Sequence, residues 1–177
     1  MATGNTLVEL LPRDFFAGVG GNPQAGEFAL SGPGVLRGIG FHQGNTASAY
    51  AVVRMPGTFS ASTGLTFKLI VAEDQTDTLG IGGNVVFGVN VGPLGNGSSY
   101  YVADATNLGT QATVTQGVPT STNAGKTMEI SIPIVTANIN GVAANIWTIV
   151  QIQRLGANAS DTCKSRVQLL AVSILDT

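Results

Sequence analysis

Charge is what this sequence most lacks. Only 10% of its 177 residues are Asp, Glu, Lys or Arg, against about 25% in ordinary soluble domains. The eight Lys and Arg residues are scattered, so no basic cluster exists to neutralise phosphates, which argues against a nucleic-acid partner. Cysteine is nearly absent: Cys163 stands alone and cannot close a disulfide within the chain. With a single histidine, His42, it cannot assemble a zinc site of the usual kind. Long hydrophobic runs are missing too. Thr, Gly, Gln or Lys interrupts every apolar stretch, and none nears the roughly 20 residues of a membrane-spanning helix. The opening segment MATGNTLVELL has no charged stretch leading into an apolar core, so no secretory signal is expected. Aromatic residues make up only 6%.

What is present is turn chemistry and alternation. Twenty-four glycines, with many Thr, Ser and Asn residues, disfavour helix and favour turns. Between them runs a period of two, which marks half-buried strands. Leu65, Phe67, Leu69 and Val71 share one face, as do Val85, Phe87, Val89 and Val91, with Gly88 and Asn90 opposite. Met128, Ile130, Ile132 and Ile134 form a third face, and Pro133 behind them predicts a sheet edge or a bulge. Ile146, Thr148, Val150 and Ile152 form a fourth, backed by Trp147, Ile149, Gln151 and Gln153. Further strands are expected in TLVELL, VLRGIGF, SAYAVVRM and VQLLAVSIL. Eight to ten short strands in one domain predict an all-β antiparallel sandwich, jelly-roll-like, over residues 17–177, with an N-terminal arm over 1–16.

The polar stretch VQIQRLGANASDTC, residues 150–163, brings Arg154, Asp161 and Cys163 close in sequence. Gly156, Asn158, Ser160 and Asp161 are turn formers between two strong strands, so a connecting turn is expected rather than a reactive centre. Cys163 has no histidine near it in sequence and reads as a packing residue. Glu73, Asp74 and Asp77 in AEDQTD could offer oxygen ligands to calcium, but their spacing is not that of an EF-hand, and a solvated loop is expected. Tyr100, Tyr101 and Trp147 are candidates for stacking surfaces. The glycine runs GVGG, GPG and GIGG precede no Lys-Ser or Lys-Thr and read as turns. Asn96 and Asn158 head chance matches to the glycosylation pattern. No catalytic, cofactor-binding or metal-binding residue is expected, and the chain is read as a non-enzyme.

Several segments carry a resemblance: LLPRDF at 10–15, AYAVVRMPGTF at 49–59, GLTFKLIVAEDQTDT at 64–78 with GGNVVFGVNV at 82–91, and WTIVQIQRLGANASDTCKSRVQLLAVSI at 147–174. Together they resemble the jelly-roll virion proteins of tailed bacteriophages. That resemblance implies a capsid cement or decoration protein on the outer virion surface, with the major capsid protein as partner and a homotrimer preferred over a dimer. A charge-poor surface suits a chain covered by partners. Contacts are expected from the arm through Leu7, Leu10, Phe15 and Phe16, the last two adjacent so that one ring must point away from the core. The alternatives are a tail, baseplate or fibre component, or a carbohydrate-binding jelly roll, which would need exposed aromatics on one sheet face.

Overall fold

The computed structural model describes residues 4–17, 24–29, 35–73, 82–94, 108–118 and 127–177. Two antiparallel sheets face each other across one apolar core, an all-β jelly-roll-like sandwich. One sheet holds β1 (Thr6–Leu10), β3 (Gln24–Ala29), β4 (Val35–Phe41), β6 (Leu65–Glu73), β9 (Thr127–Ile134) and β11 (Val167–Asp176). Its order is β3-β4-β11-β6-β9, with β1 also paired to β11. The other holds β2 (Phe15–Ala17), β5 (Thr46–Arg54), β7 (Asn84–Pro93), β8 (Ala112–Gly117) and β10 (Trp147–Leu155), in the order β2-β5-β10-β7-β8.

The alternation read from the sequence is the alternation between core and solvent. Leu65, Phe67, Leu69 and Val71 of β6 face Val85, Phe87, Val89 and Val91 of β7 across the sandwich, all buried. Phe41 and Phe87 meet edge-on between the sheets, with ring centroids 5.6 Å apart and planes at 89°. Burying each such ring contributes about 1.5–3 kcal/mol, and the edge-to-face geometry suits the ring quadrupoles. Pro133 lies on β9, which among the described strands ends its sheet beside β6, a position where proline is tolerated.

The N-terminal arm is woven into both layers. β1 runs beside β11 and β2 runs beside β5. Between them the chain crosses from one sheet to the other through a single 3-10 turn, Pro12–Asp14. Pro12 supplies the fixed φ of its first position. The Leu11 N–H donates to Asp14 Oδ2 at 2.8 Å and the Asp14 N–H donates to Leu11 O at 2.9 Å, which closes the turn.

Candidate functional site

Within the segment 150–163, residues 150–155 end β10 and the rest form the turn towards β11; Arg154 and Asp161 fold inward, while Asn158, Ser160 and Thr162 are exposed. Arg154 continues the core-facing series Thr148, Val150, Ile152 and is fully buried. Its five N–H groups all find acceptors. Nε donates to Asp161 Oδ2 at 3.0 Å and Nη2 to Asp161 Oδ1 at 2.7 Å. Nη1 donates to Phe41 O at 3.0 Å and Ser165 O at 2.8 Å, and Nη2 also donates to Cys163 O. Asp161 Oδ2 accepts in addition from the Val86 N–H at 3.1 Å. A guanidinium with every donor used and no open side has nothing left for a ligand.

Cys163 sits in the same knot, fully buried, its Sγ 3.8 Å from Glu73 Oε1 and 3.5 Å from Ser165 Oγ. Burial pushes its thiol above the ordinary value of 9.0, against the opposing pull of the Ser165 hydrogen bond and the Arg154 charge. It is a neutral thiol at neutral pH and a packing residue. Glu73 Oε1 accepts from the Gly82 N–H at 3.1 Å and from Ser165 Oγ. Its calcium-loop companions Asp74 and Asp77 lie outside the described residues, as do Tyr100, Tyr101 and Asn96. Among the described residues no three His, Cys, Asp or Glu side chains gather to hold a metal. His42 is exposed on the connection after β4.

Of the four arm residues expected to meet a partner, Leu10 is in the core, and Leu7 and Phe15 pack against it. Phe16 alone points outward. Its ring stacks on Tyr50, centroids 5.9 Å apart and planes at 18°.

Phe16 marks a second polar region, on the outer face of the five-stranded sheet. Among the described residues five large hydrophobic side chains are exposed, and three of them lie here: Phe16 at 43%, Val52 at 41% and Trp147 at 52%. Strand register places them in rows. Phe16, Tyr50, Gln151 and Asn90 follow one another across β2, β5, β10 and β7, while Arg54 faces Trp147 and Val52 faces Ile149. A hydrogen-bonded chain of amides and hydroxyls fills the middle. Gln151 Nε2 donates to the Tyr50 hydroxyl at 2.6 Å, and Gln153 Nε2 donates to Ser48 Oγ at 2.6 Å. Gln111 Nε2 donates to Gln153 Oε1 and, at 3.1 Å, to Asn90 Oδ1. Asn90 Nδ2 donates to Gly109 O at 3.0 Å. Gly88 makes this possible: a Cβ there would lie 2.5 Å from Gln111 Cδ, so only a glycine lets the amide lie flat across β7. Tyr50, Ser48 and Gln151 at the centre of this row are buried, at 6%, 5% and 8% exposure, while Gln153, Asn90 and Gln111 are half-buried.

No family model and no curated protein matches this sequence. Solved structures do share the sandwich. An arabinose-bound MgGH51 α-L-arabinofuranosidase aligns over 98% of this chain and 27% of its own, with TM-score 0.53 and 9% identity. The CBM22-1 xylan-binding domain of Paenibacillus barcinonensis Xyn10C aligns over 98% of this chain and 95% of that one, with TM-score 0.49 and 10% identity. A family 11 carbohydrate-binding module from Clostridium thermocellum, in complex with a β-1,3-1,4-mixed-linked tetrasaccharide, aligns over 96% of each chain, with TM-score 0.42 and 12% identity. At such identities the likeness concerns the fold. The chain spans about a quarter of the arabinofuranosidase, whose activity belongs to the whole enzyme.

These comparisons correct the reading drawn from the phage resemblance. The sandwich is shared with an arabinose-bound α-L-arabinofuranosidase, and the assignment as a virion cement or decoration protein falls. With it fall the major capsid protein as partner, the outer capsid surface as location, and the trimer, which was fitted to capsid threefold positions. The physical reason is that the matched segments are inward-facing alternations and turns. Those specify a sandwich core, which many unrelated proteins share, and say nothing of what the outward faces meet.

Proposed function

We propose that this chain is a non-catalytic carbohydrate-binding β-sandwich and that the outer face of its five-stranded sheet is the ligand platform. One observation carries the reading: three exposed apolar side chains, Phe16, Val52 and Trp147, share a face with the amide row of Gln151, Gln153, Gln111 and Asn90. A sugar ring is amphipathic in the same way. Its axial C–H face packs on aromatic rings, and its equatorial hydroxyls both donate and accept, as side-chain amides do. Five strands spaced about 4.8 Å apart give a platform about 19 Å wide, enough for several sugar units in a row. The low charge of the chain fits a ligand read by hydrogen bonds and stacking. The carbohydrate-binding modules that share the sandwich are consistent with this, and the arrangement on the sheet face is what supports it.

The test is electrophoresis in native gels containing soluble polysaccharides, with titration calorimetry on any that retard the protein. Trp147→Ala is expected to weaken binding at least about tenfold, the loss of roughly 1.4 kcal/mol of ring contact. Gln151→Ala should weaken it less, and Trp147→Ala should keep the wild-type melting temperature to within a few degrees because its ring is half exposed. Absence of retardation by every polysaccharide, or a Trp147→Ala variant that binds as well as wild type, overturns the reading.

A further inference from the structure

The two sheets divide their charge unevenly. Glu9, Glu27, Glu73, Glu129 and Asp176 all lie on strands of the six-stranded sheet. The strands of the five-stranded sheet contain no Asp or Glu, and only two arginines. Arg154 is consumed in the buried knot. Arg54 is exposed on the outer face and is the cross-strand neighbour of Trp147. From this we infer that the Arg54–Trp147 corner reads a carboxylate, so that the ligand is a uronate-bearing polysaccharide whose neutral units lie along the amide row.

The corner is held in place before any ligand arrives. Just beyond the Arg54–Trp147 pair, the Met55 N–H donates to Ile146 O at 3.0 Å and the Asn145 N–H donates to Met55 O at 2.9 Å. On the other flank of Trp147, its carbonyl accepts from the Leu94 N–H at 2.7 Å. Arg54 Nε donates to Asn145 O at 3.4 Å, which orients the guanidinium by one edge and leaves the two terminal nitrogens for a planar acceptor. Arg54 makes no ion pair among the described residues. A cation beside an exposed ring, on a sheet face without a carboxylate, selects a ring that carries its own carboxylate. A sulfate ester would meet the same geometry, and the probes below separate the two.

The inference rests on the carbohydrate reading, and the experiment keeps the two failures apart. Glucuronoxylan, pectin and alginate are each offered in native form and after chemical reduction of their carboxyl groups to alcohols, which removes the charge and keeps the chain. Carrageenan is the sulfated control. Wild type is expected to bind at least one native uronate polymer about fivefold or more tighter than its reduced form, as suits a partly exposed charged pair, with the preference shrinking as salt rises. Arg54→Gln should abolish the preference, so that native and reduced polymers bind alike. Arg54→Lys, which keeps the charge but not the fork, should retain only part of it. Equal binding of native and reduced polymers, or a preference that survives Arg54→Gln, overturns the uronate inference while the carbohydrate reading stands. Tighter binding to carrageenan than to any uronate polymer overturns it in favour of sulfate. Binding to no polysaccharide sinks both.

Discussion

Strand β10 carries a polar network on each of its faces, and the two are built to opposite specifications. Inward, Arg154 and Asp161 form a closed knot in which every guanidinium N–H has an acceptor. Outward, Gln151 and Gln153 belong to a row bonded enough to fix the side chains, with Gln151 buried but Gln153, Asn90 and Gln111 only half-buried beside exposed Trp147. The lesson lies in the leftover capacity. A buried polar group with no spare donor is part of the architecture, because any unmet need would cost about 1–3 kcal/mol. A polar group at the surface with spare donors and acceptors, set among exposed rings, is equipped to exchange water for a ligand.

The sharpest way to break this contrast is to open the closed knot. Asp161→Ala leaves the Arg154 charge buried and removes the acceptor of the Val86 N–H. The expected loss is about 3–5 kcal/mol of unfolding free energy, read from urea denaturation. The double replacement Arg154→Met with Asp161→Leu should recover much of that loss, because no orphaned charge remains. Glycan affinity of the folded fraction should not change in either variant. A loss of binding that exceeds the loss of folded protein would show that the two faces are not separate.

A smaller effect sharpens the open row. Gly88→Ala puts a methyl group where the Gln111 amide lies, and the Gln111 end can swing aside. Stability should change by less than about 1 kcal/mol, while affinity for a bound polysaccharide falls about threefold or more, measured by calorimetry. Unchanged affinity would remove Gln111 from the platform.

The smallest effect is in pH. The Cys163 thiol is raised in the folded state above its ordinary value of 9.0. The stability of the neutral buried thiol is therefore complete below that ordinary value and declines as pH rises through the folded one. Cys163→Ala should lose less stability than wild type between about pH 8 and pH 10, read as the difference in urea midpoints. A wild-type curve parallel to that of the variant would show that the thiol does not contribute.

The same two faces show how far the sequence could be read. The partition of β10 into an inward series and an outward Trp147, Ile149, Gln151 and Gln153 follows from parity alone, because one residue of shift would turn every core side chain outward. Four strands with clean alternation were legible for that reason. β2, β3 and β8 were not: Phe15–Ala17 is too short to show a period, Gln24–Ala29 is broken by Gly26, and Ala112–Gly117 is a Thr-rich edge strand. The proposed platform was only half legible. Trp147 was a candidate for stacking, but the placing of Phe16 on Tyr50 and of Gln111 over Gly88 depends on register between strands far apart in the chain. The turn after β10 was legible, but the buried ion pair of Arg154 and Asp161 was not, since nothing local tells Arg154 from a surface arginine.

One further consequence comes from the way β1 lies against β11. Thr6 is paired with Leu175, and the Asp176 N–H donates to Asn5 O at 3.0 Å. The described ends of the domain thus meet at one point, on the layer that does not carry Trp147 and the amide row. A tether attached at either end therefore starts from the six-stranded layer, the one opposite Trp147 and the amide row. A joint made there, or a cut and a rejoining in a new chain order, would leave the proposed platform layer untouched.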